Sequence, residues 1–123
     1  MLFRSMLSGG QPIINGDGRQ TRDYVFVSDV VRMNLSALRY EKSEIFNVGT
    51  RIETDVNTIF STLKEFTASK CNEVHGPAKK GEQQRSVLNS QKADQGLGWK
   101  PSISLRDGLQ QTVESFRNQK AAV

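Results

Sequence analysis

Gly16-Asp17-Gly18-Arg19-Gln20-Thr21-Arg22-Asp23-Tyr24-Val25-Phe26-Val27-Ser28-Asp29-Val30-Val31 is the stretch on which the fold turns. Gly16 to Arg22 form a glycine-punctuated connection, which either lets backbone approach a ligand closely or serves as a plain loop. Tyr24-Val25-Phe26-Val27 is rich in aromatic and β-branched residues and predicts a strand. Ser28-Asp29, followed by Val30, Val31, Asn34, Leu35 and Leu38, predicts a helix, with Asp29 suited to the positive end of its macrodipole. Loop, strand and helix succeed one another within a short span, so the chain reads as mixed α/β.

The flanking sequence extends that reading. Val56, Ile59, Phe60, Leu63 and Phe66 line one helix face behind a Thr54 cap, and Leu105, Leu109, Val113 and Phe116 line another behind Ser104, with Asp107 completing an Asp variant of the capping box. A shorter helix is predicted from Asn89 or Ser90 to Leu97, stopped by Gly98 and Pro101. Pro12-Ile13-Ile14-Asn15 and Ile45-Phe46-Asn47-Val48 are further β-prone runs. About four to five helices with short strands result, and Trp99, Val48 and Phe46 are expected to pack in the core. No repeat or linker divides the chain; residues 1–117 are expected to act as one unit and 118–123 as a frayed tail.

The chain has 123 residues, 36% hydrophobic and 24% charged, with three prolines, which describes one ordinary soluble domain rather than a fibrous or disordered chain. No window approaches the roughly 18 apolar residues that cross a bilayer, and Met1 to Leu7 is too short and interrupted for a signal peptide. A cytoplasmic location and no membrane partner are therefore expected. The single Cys71 has no disulfide partner and no nearby ligand set for zinc, so no metal is expected. The net charge of +4 arises in the second half, where Lys79, Lys80 and Arg85 gather beside Gly76, Pro77 and Gly81. Such a cluster either meets an anionic ligand or is a solvated charge run. It lacks the interleaved aromatics of a nucleic-acid interface, so nucleic acid is not expected as a partner.

The chemistry of a complete dinucleotide enzyme is missing. No G-x-G-x-x-G or P-loop spacing occurs, and neither Tyr24 nor Tyr40 has a lysine four positions later. No catalytic or cofactor-binding residue is assigned. His75, without an adjacent carboxylate or nucleophile, reads as a surface or packing residue rather than a base.

Four ordered motifs carry a resemblance. They are Gly16 to Val31, Phe46-Asn47-Val48-Gly49-Thr50, Gly76-Pro77-Ala78-Lys79-Lys80-Gly81-Glu82 and Leu97-Gly98-Trp99-Lys100-Pro101. Together they resemble the C-terminal, substrate-binding part of NAD-dependent nucleotide-sugar epimerases and dehydratases, the extended short-chain dehydrogenase/reductases, and within these the UDP-glucose 4-epimerases. The resemblance covers nearly the whole chain but well under half of such an enzyme. It implies that the Rossmann core, with its glycine fingerprint, its NAD and its Tyr-x-x-x-Lys pair, lies upstream of this sequence, in cis or in trans.

By that resemblance, Arg22 and Lys79 grip the diphosphate of a UDP-sugar, Glu82 bonds ribose hydroxyls, and Ile13 and Asn15 border the uracil. Lys79 departs from the arginine usual in the family, so a bidentate grip becomes a point charge, which Arg85 could offset. Each residue also has a plain structural reading: Arg22 paired with Asp23, Glu82 solvated, Ile13 buried in a strand. Asn89 stands where the family has Asp, and both residues cap helices. The resemblance further implies that the helix near Asp29 and the strand at Ile45 to Val48 pack against the absent core. Alone, the chain is then expected to bind a nucleotide-sugar without catalysis and to form a homodimer that covers those faces. The alternative is a standalone interaction or oligomerisation module with a decayed pocket.

Overall fold

A computed structural model describes residues 2–121 of the chain. Its order is α1 (Leu2–Leu7), β1 (Ile14–Asn15), β2 (Thr21–Arg22), α2 (Val27–Leu38), β3 (Thr54–Asp55), α3 (Val56–Thr67), β4 (His75–Gly76), α4 (Gln91–Leu97) and α5 (Leu105–Ala121). The class is α/β, with five helices among the described residues and strands reduced to two-residue ladders. β1 runs parallel to β4, with Ile14 opposite His75, and β2 runs antiparallel to β3, with Thr21 opposite Asp55. The ladders tie the two ends of the glycine-rich connection to segments later in the chain, at His75–Gly76 and at Thr54–Asp55.

Helix α3 presents Ile59, Phe60 and Leu63 to a core shared with Met6 of α1, Ile14 of β1 and Val113 of α5. Helical spacing predicts this face, but not α1, whose apolar Leu2, Phe3, Met6 and Leu7 span too few turns to show a period. So short a helix relies on packing rather than propensity. Phe3 meets the Phe116 ring edge-on, with centroids 4.7 Å apart. A second cluster joins Met33 of α2, Ala93 of α4 and Trp99, flanked by Val25, Phe46, Val48 and Leu97, so the three residues expected in the core pack there.

Two predicted strands are absent. Tyr24 to Phe26 lead into α2 outside any ladder, and Ile45 to Val48 have no strand partner. β-Branched and aromatic side chains favour a strand only where a neighbouring strand exists, and among the described residues none lies beside either run. The polar Thr21–Arg22 and Thr54–Asp55 pair instead. Thr54 is thereby used in β3, and the cap of α3 passes to Asp55, whose carboxylate accepts from Thr58 N–H at 2.7 Å. Asn89 supplies the side-chain acceptor at the start of α4, taking Gln91 N–H at 3.0 Å. Gly98 ends that helix with φ 62°, and Ser104 caps α5 by accepting from Asp107 N–H at 3.1 Å. Of the expected tail, the backbone through Ala121 belongs to α5, and Ala122 and Val123 lie outside the described residues. No helix among the described residues is long and apolar enough to cross a membrane.

Candidate functional site

The β1–β2 connection and the segment after β4 face each other across a cleft of about 290 Å³, lined by Asn15, Gly16, Asp17, Gln20, Ala78, Glu82 and Gln84. Gly16 N–H donates to Gly76 O at 3.0 Å, which continues the β1–β4 ladder into the first wall. Thr21 N–H donates to Gln84 O at 2.9 Å, which ties the second wall to β2. The turn at the cleft's base requires glycine. Gly18 has φ 72°, and a Cβ there would fall 1.8 Å from Asn57 Oδ1, while Asn57 Nδ2 donates to Asp17 O at 2.9 Å. Asn57 Oδ1 is itself buried without a partner. Gln20, buried beneath the turn, donates to Asn15 O at 3.0 Å and holds β1 to the connection.

Neither Lys79 nor Arg22 is among the residues that line the cleft, and Arg22 reaches from β2 to the Glu82–Gln83 segment. Its Nη1 donates to the carbonyl oxygens of Thr21 and Gln83, both at 2.7 Å, and its Nη2 lies 3.7 Å from Glu82 Oε1. Lys79 is on the same turn as Glu82, since Glu82 N–H donates to Lys79 O at 3.1 Å. Arg22 thus lies beside Glu82, Lys79 is joined to Glu82 through its backbone, and Asn15 lines the cleft together with Glu82. Ile13 is 58% exposed and packs on Gly76, so its side chain is not the buried residue a strand would imply.

Arg85 is placed differently. It bonds Glu53 through Nε at 3.0 Å and Nη2 at 2.7 Å, and Thr21 Oγ1 donates to the same carboxylate at 3.0 Å. Those bonds, from Arg85 first and Thr21 second, hold the Glu53 pKa below the usual range. Arg85 is therefore engaged on Glu53 rather than on the cleft.

Asp23 does not pair with Arg22. Its carboxylate accepts from Thr50 Oγ1 at 2.6 Å and from the N–H groups of Thr50 at 2.8 Å, Arg51 at 3.0 Å and Leu88 at 3.3 Å. Burial disfavours its charge, but these donors outweigh burial and lower its pKa. Sequence spacing offers no sign of this, because the donors are far along the chain. His75 needs a correction as well, since it does have a carboxylate partner: Nε2 lies 2.8 Å from Glu73 Oε1, and Nδ1 lies 2.7 Å from Gly16 O. The alternation of side chains around β4 leaves Glu73 two positions back on the same side.

Among the described residues, no glycine turn leads from a strand directly into an open helix N-terminus. A dinucleotide seat needs an open helix N-terminus after a glycine turn. The strand that runs directly into a helix here is β3, and the Asp55 carboxylate already occupies the N-terminus of α3.

Comparison with known proteins gives this geometry relatives. The profile of the GDP-mannose 4,6 dehydratase family matches residues 2–112. The UDP-glucose 4-epimerase of Mycolicibacterium smegmatis is 36% identical over 116 residues, covering 94% of this chain and 37% of that one. The crystal structure of UDP-glucose 4-epimerase from Thermotoga maritima with UDP-glucose superposes with TM-score 0.93 at 44% identity, over 97% of this chain and 38% of that one. The UDP-glucuronic acid 4-epimerase of Bacillus cereus, in complex with UDP-glucuronic acid and NAD, superposes with TM-score 0.87 at 27% identity, over 96% of this chain and 38% of that one. The chain thus spans less than two fifths of these relatives.

Proposed function

Because the chain belongs to the GDP-mannose 4,6 dehydratase family and corresponds to the C-terminal part of extended short-chain dehydrogenase/reductase epimerases, we propose that it is the UDP-sugar-binding portion of an epimerase-like protein, without catalysis of its own. The observation that carries this reading is Arg22, whose guanidinium is fixed by the carbonyls of Thr21 and Gln83 next to Glu82, a residue of the cleft wall, with Lys79 on the same turn as Glu82. A fixed guanidinium engages two diphosphate oxygens with little further ordering. Lys79 supplies a second positive charge. Glu82 accepts from ribose hydroxyls, and Asn15 and Ile13 border the base. Arg85 stays with Glu53 unless the ligand's charge draws it away. The UDP-glucose in the Thermotoga maritima relative supports this choice of ligand class. NAD and the reacting groups belong to the part of such an enzyme that this chain does not span.

Calorimetry with UDP and UDP-glucose tests the reading. Measurable heat is expected with the wild-type chain, and Arg22→Ala is expected to weaken binding roughly ten- to a hundredfold, the worth of charge-assisted hydrogen bonds to phosphate. No heat up to millimolar ligand would overturn it.

A second reading, an interaction or oligomerisation module, is favoured by one observation. Val31 and Leu35 on α2 are 50% and 52% exposed, and Ile45 is 83% exposed on a run that has the composition of a strand but no strand partner. The two readings are compatible where the missing Rossmann half, or a second copy, covers that face.

A further inference from the structure

We infer that His75 is a pH-dependent pin for the glycine turn, and that through it protonation tightens the cleft on a diphosphate-bearing ligand; the second half of this inference rests on the reading of the cleft given above. The backbone of His75 pairs with Ile14 across the β1–β4 ladder, and its ring reaches on to the turn that follows β1. There Nδ1 lies 2.7 Å from Gly16 O, while Nε2 lies 2.8 Å from Glu73 Oε1. A carbonyl oxygen and an ionised carboxylate can only accept, so both ring nitrogens must donate. Only the imidazolium carries two N–H groups.

Loss of the proton leaves one N–H for two acceptors, and one contact becomes lone pair against lone pair. The charge-assisted bond to Glu73 is the stronger, so the remaining proton stays on Nε2 and the Gly16 contact is the one released. Gly16 sits where movement is felt by the cleft. Its φ is 65°, and a Cβ there would lie 3.3 Å from Ala78 Cβ on the opposite wall. Among the described residues, Glu73 and Asp17 are the charged groups acting on the ring, one from the segment before β4 and one from the turn itself. Both are anionic and favour the imidazolium. The Glu73 bond first, and the Gly16 carbonyl second, raise the His75 pKa above 6.5. The pin is therefore complete below the ordinary histidine range and is lost as pH rises through the raised value.

The test is a pH titration of the full chain by ¹H–¹⁵N NMR, read beside calorimetry with UDP-glucose, whose diphosphate does not titrate near neutrality. The Gly16 and Asp17 amides are expected to shift with the midpoint of the His75 ring, and that midpoint is expected to fall in Glu73→Gln. UDP-glucose affinity is expected to drop about three- to tenfold across the same midpoint, the worth of one hydrogen bond to the wall. A Gly16 amide indifferent to the His75 titration would overturn the pin. Affinity that holds constant across the midpoint would overturn its coupling to the ligand. Absence of UDP-glucose binding at every pH, with Gly16 still tracking His75, would uphold the pin and overturn the nucleotide reading instead.

Discussion

Asp29 shows what a single residue contributes to this molecule. Its side chain is fully buried, yet it accepts from Arg32 Nη2 at 2.5 Å, Ser102 N–H at 3.0 Å, Ser102 Oγ at 2.8 Å and Ile103 N–H at 3.1 Å. Burial opposes the charge, but the donors, Arg32 foremost, prevail and bring the pKa from 3.8 down to about 2. A depressed carboxylate stabilises the fold above its unfolded pKa, and that contribution is lost as pH falls from about 4 towards about 2. Chemical denaturation across that range is expected to show the loss. Asp29→Asn, whose NH2 must face either the Arg32 guanidinium or the Ser102 and Ile103 N–H groups, is expected to cost about 2 to 4 kcal/mol at neutral pH and to flatten the acid limb. The sequence places Asp29 correctly in the first turn of a helix. It does not disclose the partners, because Ser102 and Ile103 are brought there by tertiary contacts, among them Trp99 Nε1 donating to Asp29 O at 2.9 Å and Arg32 Nη2 donating to Lys100 O at 2.7 Å. Around the cleft the same holds: Arg22 lies 3.7 Å from Glu82 and Asn15 shares a wall with Glu82, while the engagement of Arg85 by Glu53 and of His75 by Glu73 depends on geometry that spacing leaves open.

Elements were legible in proportion to the local information that specifies them. α3 and α5 are long amphipathic helices, and both stand where their apolar spacing predicts. Ser104 at the head of α5 exchanges hydrogen bonds with Asp107, donating to its carboxylate at 2.6 Å and accepting its N–H at 3.1 Å. Ser104→Ala is expected to cost about 1 kcal/mol in thermal or urea unfolding, and Ser104→Thr to restore most of it, since its hydroxyl both accepts the Asp107 N–H and donates to the Asp107 carboxylate. An unchanged midpoint in Ser104→Ala would mean that α5 is held by packing alone. The β2–β3 ladder was not legible, because a two-residue pairing of polar residues carries no alternation to read, whereas β1 lies inside the β-prone run Pro12 to Asn15. The run Ile45 to Val48 has the opposite character: its composition is that of a strand, but its neighbour is missing.

At the scale of the whole molecule, the buried residues separate into two clusters, and apolar side chains remain outside both. Val27, Val31, Leu35 and Leu38 leave one side of α2 open, and Ile45 and Ile52 are 83% and 65% exposed nearby in sequence. Patches of this kind drive association. Size-exclusion chromatography with light scattering is expected to give a dimer at micromolar concentration, and Val31→Lys with Leu35→Lys is expected to give a monomer of unchanged helical content. A wild-type monomer under those conditions would count against self-association. The ladders have a consequence of another kind. β1 meets β4, and β2 meets β3, across long intervening stretches of chain, so the loops must close before either two-residue pairing contributes anything. The helices rest on local contacts, so the walls of the cleft are expected to assemble after them, once the polypeptide around His75 has folded back onto its beginning.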